Sequence, residues 1–172
     1  MTEMTLGAAD APVKLMEYAS FTCPHCANFH NNVLKRIKAE YVDTGKLHFT
    51  YRDVYFDRPG LWAAMIARCD PNRFFGIADL LYADQKDWIG GGNLGEIEQN
   101  LRKLGLVAGL SPEQLDACLA DGDKAQALYG WFQTNMEADQ VKSTPTLFID
   151  GEQHSNMSYE DLKKILDAKL GM

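Results

Sequence analysis

Three kinds of hydrophobic pattern follow one another along this chain of 172 residues. Apolar and polar residues alternate over 11–19, which predicts a strand, and apolar residues then recur at helical spacing from Pro24 to about Tyr41. A second alternating segment, over 47–56, is rich in aromatic residues and predicts another strand. A strand, a helix and a strand in this order predict a right-handed βαβ unit with parallel strands.

The pattern changes between residues 60 and 140, where helical spacing prevails and no convincing strand occurs. The predicted helices cover 61–69, 71–81, 94–104, 112–119 and 124–139. Ser111, Pro112 and Gln114 mark one helix start as N-cap, first and third helical residues. The aromatic residues of this block are expected to fill its core, or in part to border a substrate groove: Phe74, Phe75, Tyr82, Trp88, Tyr129, Trp131 and Phe132.

Strand signals return after the helices. Residues 146–149 predict a strand, and Asp150-Gly151 predicts a tight hairpin to a short strand around 153–154. Ser158 then opens a last amphipathic helix. The prediction is an α/β protein whose frame, residues 1–59 and 141–172, carries an inserted all-helical domain over 60–140.

Composition and charge narrow the class of protein. The chain is 46% hydrophobic and 24% charged, which is ordinary for a globular protein, and its net charge of −7 argues against a nucleic-acid partner. No apolar run approaches the roughly 18 residues that a membrane span needs. Residues 1–10 lack the basic start and apolar stretch of a signal peptide, which fits either a cytosolic protein or a mature exported one.

The candidate chemistry centres on Cys23-Pro24-His25-Cys26, a C-x-x-C motif at the predicted start of a helix. The free N–H groups and positive dipole end of that helix would stabilise a Cys23 thiolate, and His25 would add a hydrogen bond or partial charge. A thiolate stabilised only in the reduced form makes the disulfide an oxidant of other thiols. The alternatives are two cysteines that merely pack, and a zinc site with His25 and His30, for which no second ligand pair appears.

Glu17 is an acid inside the first predicted strand, six positions before Cys23. It is either an ordinary surface acid or a partly buried carboxylate beneath the helix, able to accept or relay the proton of the Cys26 thiol. The only basic candidate to pair with it is Arg52. His48, in the second strand, is interpreted as an ordinary hydrogen-bonded or exposed histidine.

Cys69 and Cys118 lie 49 positions apart on separate predicted helices. They form either a disulfide, which would imply an oxidising compartment, or two buried free cysteines. Within the helical block, residues 90–95 also contain G-x-G-x-x-G. No strand precedes it, so we interpret it as a loop between helices and not as a dinucleotide site.

Taken together, the C-x-x-C motif, the helical block and Ser143-Thr144-Pro145-Thr146 before the hairpin resemble the DsbA family of thioredoxin-fold proteins. The resemblance covers residues 13–170. It implies a thioredoxin fold, Cys23 as exposed nucleophile, Cys26 as buried partner and Glu17 as the acid beneath the site. It also implies a cis bond between Thr144 and Pro145, where an extended substrate would pair.

The resemblance further implies a periplasmic oxidase that acts on unfolded secreted polypeptides and needs no cofactor besides its own disulfide. A DsbB-like membrane quinone reductase would recharge it, the protein would be a monomer without a metal, and Cys69 and Cys118 would form a second, structural bridge. Thr144 stands where the best-known DsbA enzymes have valine and disulfide isomerases have threonine. An isomerase or reductase on the same fold, a kappa-type glutathione transferase and a metal- or polypeptide-binding module are the alternatives.

Overall fold

A five-stranded mixed sheet forms the centre of the computed structural model, which describes all 172 residues. The strands are β1 (Met4–Leu6), β2 (Val13–Ala19), β3 (Leu47–Asp53), β4 (Thr146–Ile149) and β5 (Glu152–Ser155). Their order in the sheet is β1-β3-β2-β4-β5, and β2 and β3 run parallel while the other neighbours run antiparallel. The predicted α/β fold with its βαβ unit and C-terminal hairpin is confirmed.

Strand β1 was not predicted from the hydrophobic pattern. It pairs with β3, so that Met4 lies opposite Tyr51 and Leu6 opposite Phe49. A strand of three residues within a small, polar segment shows too little alternation to be recognised, and the buried side chain of Met4 is its main apolar contribution.

Eight helices complete the fold. The first, α1, spans residues 24–42 and includes two π-helical stretches, Phe29–Leu34 and Lys38–Val42. The others are α2 (Arg58–Ala67), α3 (Phe74–Ala83), α4 (Gln85–Ile89), α5 (Leu94–Val107), α6 (Pro112–Ala120), α7 (Gly122–Ala138) and α8 (Tyr159–Leu170).

The helical block, α2 to α7, follows the predicted pattern with two differences. The segment predicted as one helix over 71–81 begins as a 3₁₀ turn, Pro71–Arg73, because Asp70 caps the backbone N–H of Asn72, and the short α4 was missed. The capping box of α6 is present, with hydrogen bonds in both directions between Ser111 and Gln114. The G-x-G-x-x-G segment forms the loop between α4 and α5 together with the first two residues of α5, as expected for a connection between helices.

One apolar cluster runs without interruption from the sheet into the helical block, joining residues such as Phe49 and Leu101. Of the aromatic residues predicted to fill the block, Phe74, Tyr82 and Trp88 are buried, and Phe75, Trp131 and Phe132 are half-buried. Tyr129 is 45% exposed and therefore does not fill the core, which leaves for it the alternative of bordering a groove. It lies on α7, a helix at the surface whose one buried residue is Leu128. No helix is both long and apolar enough to cross a bilayer.

Candidate active site

Cys23 is the N-cap residue of α1, at the point where the chain leaves β2 and turns into the helix. Its backbone is extended, and its N–H donates to the Ser20 carbonyl at 3.1 Å. Pro24 follows at the first helical position, where its missing N–H costs no helical hydrogen bond. Cys23 is half-buried and Cys26, one turn along the helix, is fully buried, and both thiols are free.

The surroundings of the Cys23 sulfur favour its thiolate. A hydrogen bond from the Cys26 thiol, together with donors from the Thr144 side chain and the backbone N–H groups of Cys26 and His25, lowers the pKa of Cys23 to about 5, against the opposing effect of burial. The free backbone N–H groups at the start of a helix donate hydrogen bonds that stabilise a thiolate. Cys23 is therefore largely ionised at neutral pH in the reduced protein.

Cys26 shows the opposite behaviour. Burial, the hydrogen bond to Cys23 and the negative charge of Glu17 all raise the pKa of Cys26 well above its ordinary value. The two sulfurs of one dithiol therefore hold their protons very differently. Cys23 forms a stable thiolate, which can attack a disulfide or leave from one. Cys26 remains a thiol, because it ionises with difficulty.

His25 contributes to the site through its main chain, since its backbone N–H is one of the donors to Cys23. Its side chain is exposed to solvent, as is that of Pro24. The predicted effect of the His25 imidazole on Cys23 stays a prediction.

Glu17 lies on β2 beneath α1 and is completely buried. Its carboxylate contacts His30, which the sequence did not predict as its partner. His30 Nε2 lies 2.7 Å from Glu17 Oε2, and His30 is 2% exposed. His30 comes from α1, one turn after Cys26. The same helix thus supplies the two cysteines and the partner of the buried acid.

Arg52, the candidate partner of Glu17, is a wrong prediction. In the parallel register of β2 and β3, Glu17 lies beside Tyr51, and Arg52 lies beside Tyr18. Successive side chains of a strand point to opposite faces, so Arg52 is on the far face of the sheet from Glu17. There its guanidinium binds Glu3 and Asp139, at 2.8 and 2.9 Å.

The loop before β4 lies against the active-site sulfur. The Thr144–Pro145 peptide bond is cis, Pro145 is buried and Thr144 is half-buried. The Thr144 carbonyl oxygen is 3.6 Å from Cys23 Sγ. Backbone polar groups of this loop therefore stand next to the reactive sulfur.

Gln85 is a site residue that the sequence analysis missed. It is 5% exposed, and its side-chain amide donates to the carbonyl oxygens of Phe21 and Cys23, at 2.8 and 3.0 Å. It begins α4, so a helix of the inserted block holds the loop that carries Cys23. A single glutamine among helical residues gives no signal of this contact in the sequence.

Cys69 and Cys118 form a disulfide bond, with their Cα atoms 5.7 Å apart. Cys69 follows the last turn of α2 and Cys118 lies on α6, so the bond joins two helices of the inserted block. Next to Cys69, Arg68 forms a buried ion pair with Asp53 at the end of β3, with 2.7 Å between Arg68 Nη2 and Asp53 Oδ2.

The structure contains no set of side chains that would support the alternative of a zinc site. No group of three or more His, Cys, Asp or Glu side chains is arranged to hold a metal ion. His30 faces Glu17, and His25 faces solvent. His48 is half-buried, with its Nδ1 at 3.3 Å from the Gly7 carbonyl oxygen.

A surface pocket of about 310 Å³ lies beside the end of β3. Tyr55, Phe56, Leu61 and Tyr129 supply its apolar lining, and Phe56 is 59% exposed. Gly60, at the start of α2, lies close to Thr22, since a Cβ at Gly60 would be 3.4 Å from the Thr22 hydroxyl. The pocket is therefore a neighbour of the active-site loop.

Residues 1–168 match the Thioredoxin family. The chain belongs to the thioredoxin family. Within that family its structure is of the DsbA type: it superposes on the crystal structure of Wolbachia pipientis alpha-DsbA1 with a TM-score of 0.91 and 25% identity, covering 99% of this chain and 92% of the other.

Two curated relatives carry related names. A putative protein-disulfide oxidoreductase of Rickettsia bellii is 30% identical over 170 residues, which cover 98% of this chain and 64% of that protein. Disulfide bond formation protein D of Bacillus subtilis is 25% identical over 175 residues, covering 96% of this chain and 76% of that protein. The chain spans 60% to 64% of the length of the Rickettsia relatives that it matches.

Proposed function

We propose that this chain is a thiol:disulfide oxidase that donates the Cys23–Cys26 disulfide to reduced polypeptides. The observation that carries the proposal is the set of donors around the Cys23 sulfur, which lowers the pKa of Cys23 to about 5. Those donors stabilise a thiolate that exists only in the reduced enzyme. They therefore favour reduction of the enzyme's own disulfide and oxidation of the substrate.

The reaction proceeds by two thiolate attacks. A substrate thiolate attacks Cys23 Sγ, the Cys23–Cys26 bond breaks, and Cys26 leaves with the electron pair and takes up a proton. The mixed disulfide between substrate and Cys23 is then attacked on its substrate sulfur by a second substrate thiolate, and Cys23 leaves as a stabilised thiolate. The substrate has lost two electrons and the enzyme has gained them.

Two features beside Cys23 suit an extended, partly apolar substrate. The polar backbone groups at Thr144, 3.6 Å from the sulfur, can pair with the main chain of a peptide in the manner of an added strand. The pocket around Phe56 and Tyr129 can take an apolar side chain. This combination favours unfolded polypeptides over a small thiol such as glutathione.

The proposed compartment is the periplasm, because a structural disulfide such as that of Cys69 and Cys118 persists in an oxidising environment. A DsbB-like membrane quinone reductase would re-oxidise the Cys23–Cys26 pair there, with no cofactor in the oxidase itself. We propose that the oxidase acts as a monomer.

The reduction potential of the Cys23–Cys26 pair tests the proposal. The protein is equilibrated with defined ratios of reduced and oxidised glutathione, quenched with acid and alkylated. Mass spectrometry then gives the fraction of protein in which the pair is reduced. We expect a potential of about −150 mV or higher, well above the glutathione poise. The double variant C69A/C118A is the control that assigns the transition to the active-site pair.

A potential near the roughly −270 mV of thioredoxin would contradict the oxidase proposal and favour a reductase. The isomerase alternative rests on Thr144, since disulfide isomerases have threonine at this position. It is tested with a substrate whose disulfides have been scrambled, on which an isomerase restores activity and a simple oxidase does not.

A further inference from the structure

The buried pair of Glu17 and His30 leaves two polar atoms without a partner. Glu17 Oε1 and His30 Nδ1 are both inaccessible and accept or donate no hydrogen bond within the chain. Buried polar atoms are nearly always satisfied, and an unsatisfied one in a native protein indicates a bound water or a functional role. Each of the two side chains can therefore make one more hydrogen bond, to a water molecule or to another group, besides the one that joins them.

The proposed reaction requires a proton to reach a closed site. Cys26 must gain a proton when the disulfide opens and lose it when the disulfide forms again, yet the Cys26 side chain is 0% exposed. Glu17 is close enough for its charge to act on Cys26, but Glu17 is equally buried. Glu17 itself needs a route to solvent.

The tyrosines around the pair do not provide that route. The His30 ring stacks on Tyr82, with 4.2 Å between centroids, and meets Tyr51 edge-on at 5.6 Å. The hydroxyls of Tyr51 and Tyr82 bond to each other at 2.7 Å. Burial raises the pKa of both phenols well above the ordinary value, so they keep their protons. They hold the imidazole plane in place.

A cavity that His30 helps to line leads outward. It has a volume of about 40 Å³, and its apolar walls include Leu6, Leu34 and Phe75. At its rim are the charged side chains of Lys35, Lys38 and Asp79, of which Lys35 and Asp79 are exposed. A cavity needs roughly 10–15 Å³ to hold a water molecule, so this one can hold a short file of water between His30 and the surface.

We propose that His30 is a positioning residue that acts through Glu17, carrying protons between water in this cavity and the buried carboxyl group. This inference rests on the proposed function. When Cys26 leaves as a thiolate, His30 Nε2 gives its proton to the Glu17 carboxylate, Glu17 passes a proton on to Cys26, and His30 Nδ1 takes up a proton from water, so that Glu17 ends as a carboxylate again and the imidazole has changed tautomer. One proton moves from solvent to Cys26, and re-oxidation runs the same steps backwards.

The charged and titratable groups around His30 come from four elements. Glu17 on β2 is its partner, Tyr51 on β3 and Tyr82 on α3 pack against its ring, and Cys26 is on its own helix. The cavity adds Lys35, Lys38 and Asp79. The two lysines and the aspartate line the same cavity as His30 and act on it through their charges. Glu17 is the group that exchanges a proton with the imidazole.

The test is the single-turnover rate at which the oxidised protein transfers its disulfide to a peptide with two cysteines, followed by acid quenching over a range of pH. His30→Gln keeps an N–H donor for Glu17 but cannot pass a proton. We expect the rate to fall by about 100-fold, the lower end of the range of proton-transfer catalysis. His48→Gln is the matched control on a histidine outside the site, and should keep the wild-type rate.

Chemical rescue separates proton transfer from a structural effect. His30→Ala opens the cavity to small solutes, and added imidazole should restore part of its rate while leaving wild type and His48→Ala unchanged. The equilibrium with glutathione should move by less than about tenfold in His30→Gln, because a relay changes rates in both directions alike. A rate loss matched by an equal change in that equilibrium would overturn the relay.

A variant that leaves His30 intact covers the case in which its replacement unfolds the protein. Leu6→Phe fills the cavity from β1 and should slow disulfide transfer in the same sense. Wild-type rates in Leu6→Phe and in any folded His30 variant would overturn the relay alone. Failure of the wild-type protein to oxidise the peptide would overturn the proposed function, and the relay with it.

Discussion

The two pairs of cysteines in this chain show how one side-chain chemistry serves two purposes. Cys23 and Cys26 are two residues apart at the start of a helix, whereas Cys69 and Cys118 are separated by 49 residues and join two helices. Exposure does not distinguish them, since Cys23, Cys69 and Cys118 are all half-buried. What differs is the surroundings of each sulfur.

Cys23 is surrounded by hydrogen-bond donors that stabilise its reduced, ionised form. Cys69 and Cys118 lie between α2 and α6, where closing the bond restricts the unfolded chain. A pair is reactive when the protein stabilises the thiolate, and structural when the bond itself limits the freedom of the unfolded state. Five predictions test this contrast.

The largest effect is expected when removal of the Cys23 sulfur is compared with removal of both sulfurs of the Cys69–Cys118 pair. Cys23→Ser should abolish disulfide transfer, because no other group can form the mixed disulfide. Cys69→Ser in combination with Cys118→Ser should keep transfer near the wild-type rate. Oxidation of a two-cysteine peptide, followed by mass spectrometry, measures both. Loss of transfer in the second variant would show that the two pairs are coupled and would break the contrast.

The stability of the fold should depend on the Cys69–Cys118 bond, although disulfide transfer should not. Removing the Cys69–Cys118 bond with Cys69→Ala and Cys118→Ala should lower the free energy of unfolding by about 4 kcal/mol, from the loop-closure entropy of some 50 residues. Urea unfolding of the wild-type and variant proteins measures this difference. An unchanged midpoint would mean that the bond does not stabilise the helical block.

The tie between the block and the active-site loop is expected to have an intermediate effect. Gln85→Leu removes two hydrogen bonds to the carbonyl groups of Phe21 and Cys23. At about 1 kcal/mol each, their loss should cost about 2 kcal/mol of stability and slow disulfide transfer. Gln99→Leu, at an exposed position of α5, is the control. Equal stability in both variants would mean that Gln85 is not a support of the loop.

The smallest effect concerns the acidity of Cys23. Thr144→Val removes one donor to the sulfur, and should raise the pKa of Cys23 by about one unit from its value of about 5. Ultraviolet absorbance of the thiolate in the reduced protein, titrated with acid, measures the pKa directly. A pKa that stays near 5 would leave the Cys26 thiol, followed by the backbone N–H groups, as the source of the effect.

The same pKa sets a pH dependence of stability. The folded pKa of Cys23 is lower than that of an unfolded thiol, about 8.5, so this group stabilises the folded reduced protein fully above about pH 8.5 and loses that contribution as the pH falls through about 5. Urea unfolding of the reduced protein at several pH values within this window should show the trend. The oxidised protein, which has no Cys23 thiolate, should not show it.

Much of the frame was predictable because its signals are local. Alternation identified β2 and β3, Asp150-Gly151 identified the hairpin, and both of its residues have the positive φ angles, 49° and 84°, that such a tight turn requires. The C-x-x-C motif located the reactive pair for the same reason. Its spacing and its place at a helix start are both written in consecutive residues.

The partners across the fold were not predictable in this way. The sequence predicts no role for His30 other than that of a possible metal ligand. The helical period of α1 is carried by Phe29, Val33, Ile37 and Tyr41, and it gives no information about a polar residue on the buried side. Arg52 is the only basic candidate that the sequence offers as a partner of Glu17, but strand alternation and parallel register place it on the opposite face of the sheet.

The sequence by itself determined the βαβ unit, the helical block that follows it, the C-terminal hairpin and helix, the reactive dithiol and the start of the helix that activates it. Each follows from hydrophobic period, capping or spacing within a few residues. Only the tertiary structure decided that Glu17 pairs with His30, that Gln85 holds the Cys23 loop, and that Thr144 reaches the sulfur. Such contacts join residues up to 121 positions apart, and they depend on strand register and helix packing, which no local pattern specifies.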